Sequence, residues 1–212
     1  MSLPKRTALS LPAPTGTVAD TIALAQQAEA LGYDDVWLAD AGGLDALTLV
    51  PIILANTQKL RVGIAVVPAY TRTPGVLAST FSVICQNWPG RFIPGLGTSS
   101  HTIIENWHGL KLEKPLTRMT ETVALLRTML AGEKTAFEGE TLTSKGYRQL
   151  PVENVPIYLA ALRPKMVERA AEIGDGVILN LFPRAALPQI MEHVAIGAER
   201  AGKQAEDVEV VC

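Results

Sequence analysis

The sequence predicts an α/β protein built on a parallel sheet, and three observations predict it. Short apolar segments alternate without interruption with longer segments of helical periodicity. The short segments are apolar on both faces, the pattern of strands covered by helices on either side. Each intervening helix is long enough to carry the chain back across the sheet, so that successive strands run parallel. Two architectures satisfy this order, a doubly wound open sheet and a (β/α)₈ barrel. About seven strands can be counted, which decides for neither.

The elements follow in order. Thr7–Leu11 (TALSL) reads as a short buried strand ended by Pro12. Thr17 is placed to cap a helix through VADTIALAQQAEAL, with Val18, Ile22, Ala25 and Ala28 on one face and Gly32 just past its end. DDVWLAD, Asp34 to Asp40, is the second strand. A helix through LDALTLVPIILANT follows, kinked or broken at Pro51. RVGIAVVPAY is the third strand, continuous in its apolarity, and Pro74 opens a helix through Asn87. RFIPGLG is the fourth strand, with a helix from about Pro115 to Ala131. Residues 134 to 150 alternate in polarity and carry EGE and SKG turns, so they read as an inserted β-hairpin. VPIYLAA is the fifth strand and PKMVERAAEI its helix, stopped at Gly174. GVILNLF is the sixth strand, a helix runs from Arg184 to Ala201, and DVEVVC begins a seventh strand.

The chain has 212 residues, 48% of them apolar, enough for a sizeable core. No repeat, low-complexity tract or linker divides it, so residues 1–212 read as one domain. The formal net charge is −2 and no basic block is present, so neither nucleic acid nor an anionic membrane surface is expected as a partner. Cys85 and Cys212 have neither metal-ligand spacing nor the pattern of a disulfide framework, which fits a reduced cytoplasmic setting, with Cys85 a small buried hydrophobe. No apolar run reaches the roughly 20 residues of a membrane helix. The start MSLPKRT lacks the apolar core of a signal peptide. The histidines, His101, His108 and His193, form no metal-ligand spacing, so no metal site is expected; His193 sits mid-helix, structural or exposed. No GxGxxG follows the first strand, which counts against a dinucleotide-binding Rossmann fold.

In either architecture, function gathers beyond the carboxyl ends of the strands. Strand four ends in GLGTSS. Gly95 and Gly97 let backbone approach a ligand closely, and Thr98, Ser99 and Ser100 offer amides and hydroxyls to an anion, although the same glycines also suit a plain turn. Strand five ends in AALRPK, where Pro164 opens a helix flanked by Arg163 and Lys165, again a setting for an anion. Two such sites on successive strands suit one phosphorylated ligand. Asp40 closes strand two, either as the N-cap of the next helix, which the pattern favours, or as a group that orients a cofactor or substrate. His101 and His108 lie beside the strand-four loop, where either could face the pocket.

The succession GYDDVWLAD, RVGIAVVPAYTRTP, GRFIPGLGTSSHTIIENWHGLKLEKPLTRMTETVALLR and VPIYLAALRPKMVERAAEIGDGVILN resembles the bacterial luciferase-like superfamily. It is most similar to the branch that uses the deazaflavin coenzyme F420. The resemblance implies a (β/α)₈ TIM barrel with a hairpin insertion after strand four. It implies eight strands where this chain carries seven, so the last strand or strands and their helices are expected to be absent from it and the domain incomplete at its C-terminus. It implies a bulge on strand three with a non-prolyl cis peptide at Ala65–Val66 and Val67 beside it, backing the cofactor ring. The cofactor phosphodiester would lie on Gly97, Thr98, Ser99 and Ser100 and on Ala161, Leu162, Arg163, Pro164 and Lys165. Asp40 matches the acidic position after strand two, as a cofactor ligand or catalytic proton donor, but Ala41 stands where many relatives have His.

The activity so implied is hydride transfer between F420 and a small organic substrate, in a cytoplasmic homodimer. Two other readings stand beside it: an FMN-dependent monooxygenase, and a non-catalytic flavin-binding or assembly protein derived from the same barrel.

Overall fold

The computed structural model describes residues 5–11 and 16–212. Its strands are β1 (Ala8–Ser10), β2 (Asp35–Leu38), β3 (Arg61–Ile64), β4 (Val67–Pro68), β5 (Phe92–Ile93), β6 (Gly95–Gly97), the antiparallel pair β7 (Ala136–Glu138) and β8 (Thr143–Lys145), then β9 (Tyr158–Ala160), β10 (Gly176–Ile178) and β11 (Glu209–Val211). The helices are α1 (Val18–Ala30), α2 (Ala46–Ala55), α3 (Pro74–Asn87), α4 (Pro115–Leu130), α5 (Pro164–Ile173) and α6 (Leu187–Arg200).

Outside the hairpin every strand pair is parallel. β1, β2, β3 and β5 pair in that order, and β4, β6, β9, β10 and β11 pair in theirs. β3 and β4 are the lower and upper parts of one strand position, and β5 and β6 of the next. The sheet is therefore a continuous arc of barrel strands in chain order, and each strand position before β11 is followed by a helix on the outside.

Strands three, four and one each depart from a simple continuous buried run. In RVGIAVVPAY the bulge that the resemblance implied is present: the Ala65–Val66 peptide is cis and divides β3 from β4. RFIPGLG is likewise divided at Pro94, which cannot donate to the ladder. β1 is also not buried. Ala8–Ser10 is exposed along its length, because among the described residues it has only β2 as a neighbour. The stop read at Pro12 lies outside the described residues, as do the first four residues of MSLPKRT.

Helix starts follow local chemistry. Thr17 and Asp20 form a reciprocal capping box at α1, and Gly32, at φ +85°, carries the chain out of the helix. Pro51 neither breaks nor ends α2, which runs unbroken past it. Pro74, Pro115 and Pro164 open α3, α4 and α5, where a missing N–H costs nothing. Arg184–Ala201 begins with a 3₁₀ turn, and α6 proper starts at Leu187.

The period-two pattern of the strands sorts side chains into two cores. Val36, Leu38, Val62, Ile64, Phe92, Leu96, Leu159 and Val177 point outward into the large core shared with the helices. Trp37, Ile93, Tyr158 and Ile178 form a second cluster inside the arc, joined by Val66, Ala160 and Val211. Glycines alternate with these large residues around the interior. A Cβ on Gly63 would lie 2.5 Å from the Trp37 ring, and one on Gly176 2.6 Å from the Tyr158 ring. Below this layer, Asp35, Arg61, Arg6 and Glu209 form a linked set of ion pairs at the amino ends of the strands.

The hairpin insertion follows α4 and is tied to it. Buried Glu121 accepts from the amides of Glu140, Thr141 and Leu142 and from the Thr141 hydroxyl, at 2.6 to 2.9 Å.

Candidate functional site

Everything singled out at the strand ends lies on the carboxyl side of the arc. β6 and β9 pair with Gly95 opposite Tyr158 and Leu96 opposite Leu159, so the turns after them leave the sheet side by side. Gly97 is buried, and a Cβ there would come 2.4 Å from Val66 Cγ2 and 3.5 Å from Ala160 Cβ. The cis bulge and both turns therefore abut one another at Gly97, and only a residue without a side chain fits the junction. Ala65 is exposed, Val66 half-buried and Val67 buried.

In the first turn, Thr98 and Ser99 are half-buried and Ser100 exposed, and Ser99 has φ +61°. Among the described residues, the amides of Thr98, Ser99 and Ser100 have no protein acceptor. In the second turn, Ala161 donates to Ile178 O at 3.1 Å, whereas the amides of Leu162, Arg163 and Lys165 have no acceptor among the described residues. Leu162, Arg163, Pro164 and Lys165 are all exposed. Six neighbouring amides are thus left for an external acceptor, with the start of α5 and two cations beside them.

After Ser100 the chain takes a feature that pattern reading missed. Thr102–Trp107 is a π-helical turn, and Ser100 starts it by accepting from Ile104 N at 2.9 Å. Its wider winding leaves no 3.6-residue periodicity to detect. Exposed His101 pairs with Glu105 at 3.2 Å, while His108 lines a cavity. His193 is structural: its Nδ1 lies 2.9 Å from Glu168, joining α6 to α5.

That cavity, about 380 Å³, lies between the end of β2, the end of β4 and the π-helical segment. Asp40, Asp45, Thr71, Arg72, Ile103 and His108 are among its lining residues. Here the preferred reading of Asp40 fails. The N-cap of α2 is Asp45, whose Oδ2 accepts from Thr48 N at 2.7 Å and from Thr48 Oγ1 at 2.6 Å. The helix starts at Ala46, two residues beyond the Leu44 start read from the pattern, and Gly42 and Gly43 at φ +93° and +85° keep the chain between Asp40 and the cap in a loop. Asp40 instead pairs with Arg72, a residue to which the sequence attached no role. Burial alone would raise the Asp45 carboxyl. Its bonds from Thr48 and the Arg72 charge outweigh that and hold it below the usual carboxylate range.

A family model described as luciferase-like monooxygenase matches residues 1–212. The chain belongs to that family. Among its luciferase-like relatives, a 5,10-methylenetetrahydromethanopterin reductase of Methanolobus tindarius is 32% identical over 188 residues, 88% of this chain and 57% of that protein. A putative coenzyme F420-dependent oxidoreductase of Mycobacterium tuberculosis is 31% identical over 204 residues, 88% of this chain and 59% of that protein. The chain thus spans somewhat over half the length of these relatives. The solved coenzyme F420-dependent tetrahydromethanopterin reductase of Methanopyrus kandleri superposes with a TM-score of 0.88 at 21% identity, covering 97% of this chain and 64% of that one. The fold is accordingly the luciferase-like (β/α) barrel, and the arc described above is the part of it that this chain supplies. Among the described residues of this luciferase-like chain, no group of His, Cys, Asp or Glu side chains could hold a metal ion, and no helix is long and apolar enough to cross a membrane.

Proposed function

We propose that the chain binds coenzyme F420 and takes part in hydride transfer between that deazaflavin and a small organic substrate. The observation that carries this reading is the junction at Gly97, where two turns with unpaired amides meet the cis bulge. Names of relatives that use F420 support the branch.

The residues fit such a group. The amides of Thr98, Ser99 and Ser100 and those of Leu162, Arg163 and Lys165 would hold its phosphodiester, with the start of α5 and the Arg163 and Lys165 charges adding attraction. Val66, flanked by Ala65 and Val67, would form the apolar wall behind the ring, close to the bare backbone of Gly97. Bound deazaflavin supplies a ring carbon that gives or accepts hydride. The protein then fixes ring and substrate face to face and keeps water out, which is where such sites gain rate. Asp40, at the rim of the cavity, would accept a hydrogen bond from the bound group.

The protein is read further as a cytoplasmic homodimer. Both cysteines are free, with Cys85 buried and its thiol pushed up to about 11 by that burial. α2 and α3 contain no charged residue, and Val76 and Val83 are exposed on α3, a surface suited to a second copy.

Titration of the full-length protein with oxidised F420, followed by coenzyme fluorescence, tests the reading, with FMN in parallel. Saturable F420 binding is expected. Binding of FMN alone replaces the reading with the flavin monooxygenase, and binding of neither removes it. Tight binding without turnover on any acceptor favours the non-catalytic relative.

A further inference from the structure

Arg72 lies beyond β4, and its guanidinium spans two carboxylates. Nη1 donates to Asp40 Oδ2 and Nη2 to Asp45 Oδ1. Asp45 uses its other oxygen to cap α2. A run of contacts therefore leads from a rigid helix start, through Asp45 and Arg72, to Asp40.

The covalent route between the two acids gives no such support. Residues 41–44 contain Gly42 and Gly43, both at positive φ, and such a loop does not by itself hold Asp40 in one place. Asp40 is nonetheless largely buried, with 11% of its side chain exposed. Its Oδ2 is taken by Arg72, and its Oδ1 has no protein partner among the described residues. A carboxylate at a cavity rim, neutralised through one oxygen and open at the other, is prepared to accept one more hydrogen bond.

We infer that Arg72 is a positioning residue: it fixes Asp40 so that Oδ1 meets an N–H or O–H donor of the bound cofactor. The inference rests on the function proposed above. It needs a planar, two-ended cation. A lysine ammonium is a point charge and does not bridge both acids in one plane.

The test is a double-mutant cycle read by binding of oxidised F420 (FMN, if that is the cofactor bound) to the full-length protein. R72M, D40N and the R72M/D40N double variant are compared with wild type, and R72K reports on bridging with the charge retained. Thermal unfolding establishes that each variant is folded, and R72K stands in should R72M not fold. Each single variant is expected to raise Kd about tenfold, the worth of one bond to a charged group. The double variant should be no weaker than D40N, because Arg72 acts through Asp40. R72K should resemble R72M. Additive losses of about a hundredfold, or an R72K and R72M affinity within about twofold of wild type, overturn the inference. A wild-type protein that binds neither cofactor overturns the proposed function as well, an outcome seen before any variant is made.

Discussion

Arg61 on β3 and Glu209 on β11 are 148 positions apart in the chain and joined at 2.8 Å. The same guanidinium holds Asp35 on β2 through two bonds of 2.7 Å, and Arg6 holds Asp35 from the other side at 2.8 Å. One buried carboxylate thus organises the amino ends of the first strands, and Arg61 passes that order across the interior to the seventh. Replacing Arg61 by Met leaves the Asp35 charge with only Arg6. The expected cost is about 3–5 kcal/mol, read as a lower urea midpoint. Glu209→Gln keeps a neutral acceptor near Arg61 and should cost about 1 kcal/mol.

Acid should act through the same group. Burial opposes ionisation of Asp35, but the bonds from Arg61 and Arg6 outweigh it and hold the carboxyl below the usual range. A depressed carboxyl contributes stability at pH values above its unfolded pKa, about 3.9. That contribution is lost as pH falls through the lower, folded value. Urea midpoints measured from pH 6 to pH 3 should fall steeply at the acid end in wild type and less steeply in Asp35→Asn. Parallel curves for the two proteins would count against this assignment.

Much of this fold is written in local chemistry. The helix-opening prolines, the Thr17 cap and the alternation of Trp37 with Val36 and Leu38 can all be read one residue at a time. The strand-end turns could be found the same way, because glycines and small hydroxyls mark them. What could not be read depends on partners distant in sequence. Arg72 is an ordinary solvated charge until the fold brings it to Asp40 and Asp45. The exposure of β1 depends on how many neighbours it has, not on TALSL itself. The division of the third strand needed the family resemblance, since nothing in RVGIAVVPAY marks a cis bond.

Glycine substitutions separate space from conformation. A Cβ on Gly95 would fall 1.9 Å from Ile64 O and 2.6 Å from Ile178 Cδ1, and the backbone atom cannot move aside cheaply. Gly95→Ala should cost about 3 kcal/mol and lower the thermal midpoint accordingly. At Gly32 nothing lies within 4 Å, and only φ +85° opposes a side chain. Gly32→Ala should cost about 1 kcal/mol. Calorimetry on the two variants should give that order.

The inserted hairpin is expected to detach before the barrel melts if its anchor is removed. Four donors converge on Glu121, three of them amides of the turn between β7 and β8. Glu121→Ala should cost roughly 2–4 kcal/mol. Hydrogen exchange should speed up at Glu140, Thr141 and Leu142 before it does in β9 or β10. Uniform protection across all of these would show that the hairpin is held by other contacts.

Ser99 offers a test of the anion turn in which folding and charge separate. Its φ of +61° is a conformation that Asn and Asp tolerate better than other side chains. Ser99→Asn and Ser99→Asp should therefore fold alike, with thermal midpoints close to wild type. The two side chains are nearly equal in size and differ in charge. If the amides of Thr98, Ser99 and Ser100 receive the cofactor's phosphodiester, an aspartate there faces a like charge at short range. The repulsion at an effective dielectric near a protein surface weakens binding about tenfold or more. Asn should bind F420 within about threefold of wild type, because its amide can itself donate to phosphate. The Asp defect should shrink as salt is added, since the site is partly open to water. Equal affinities for the two variants would place the phosphodiester elsewhere.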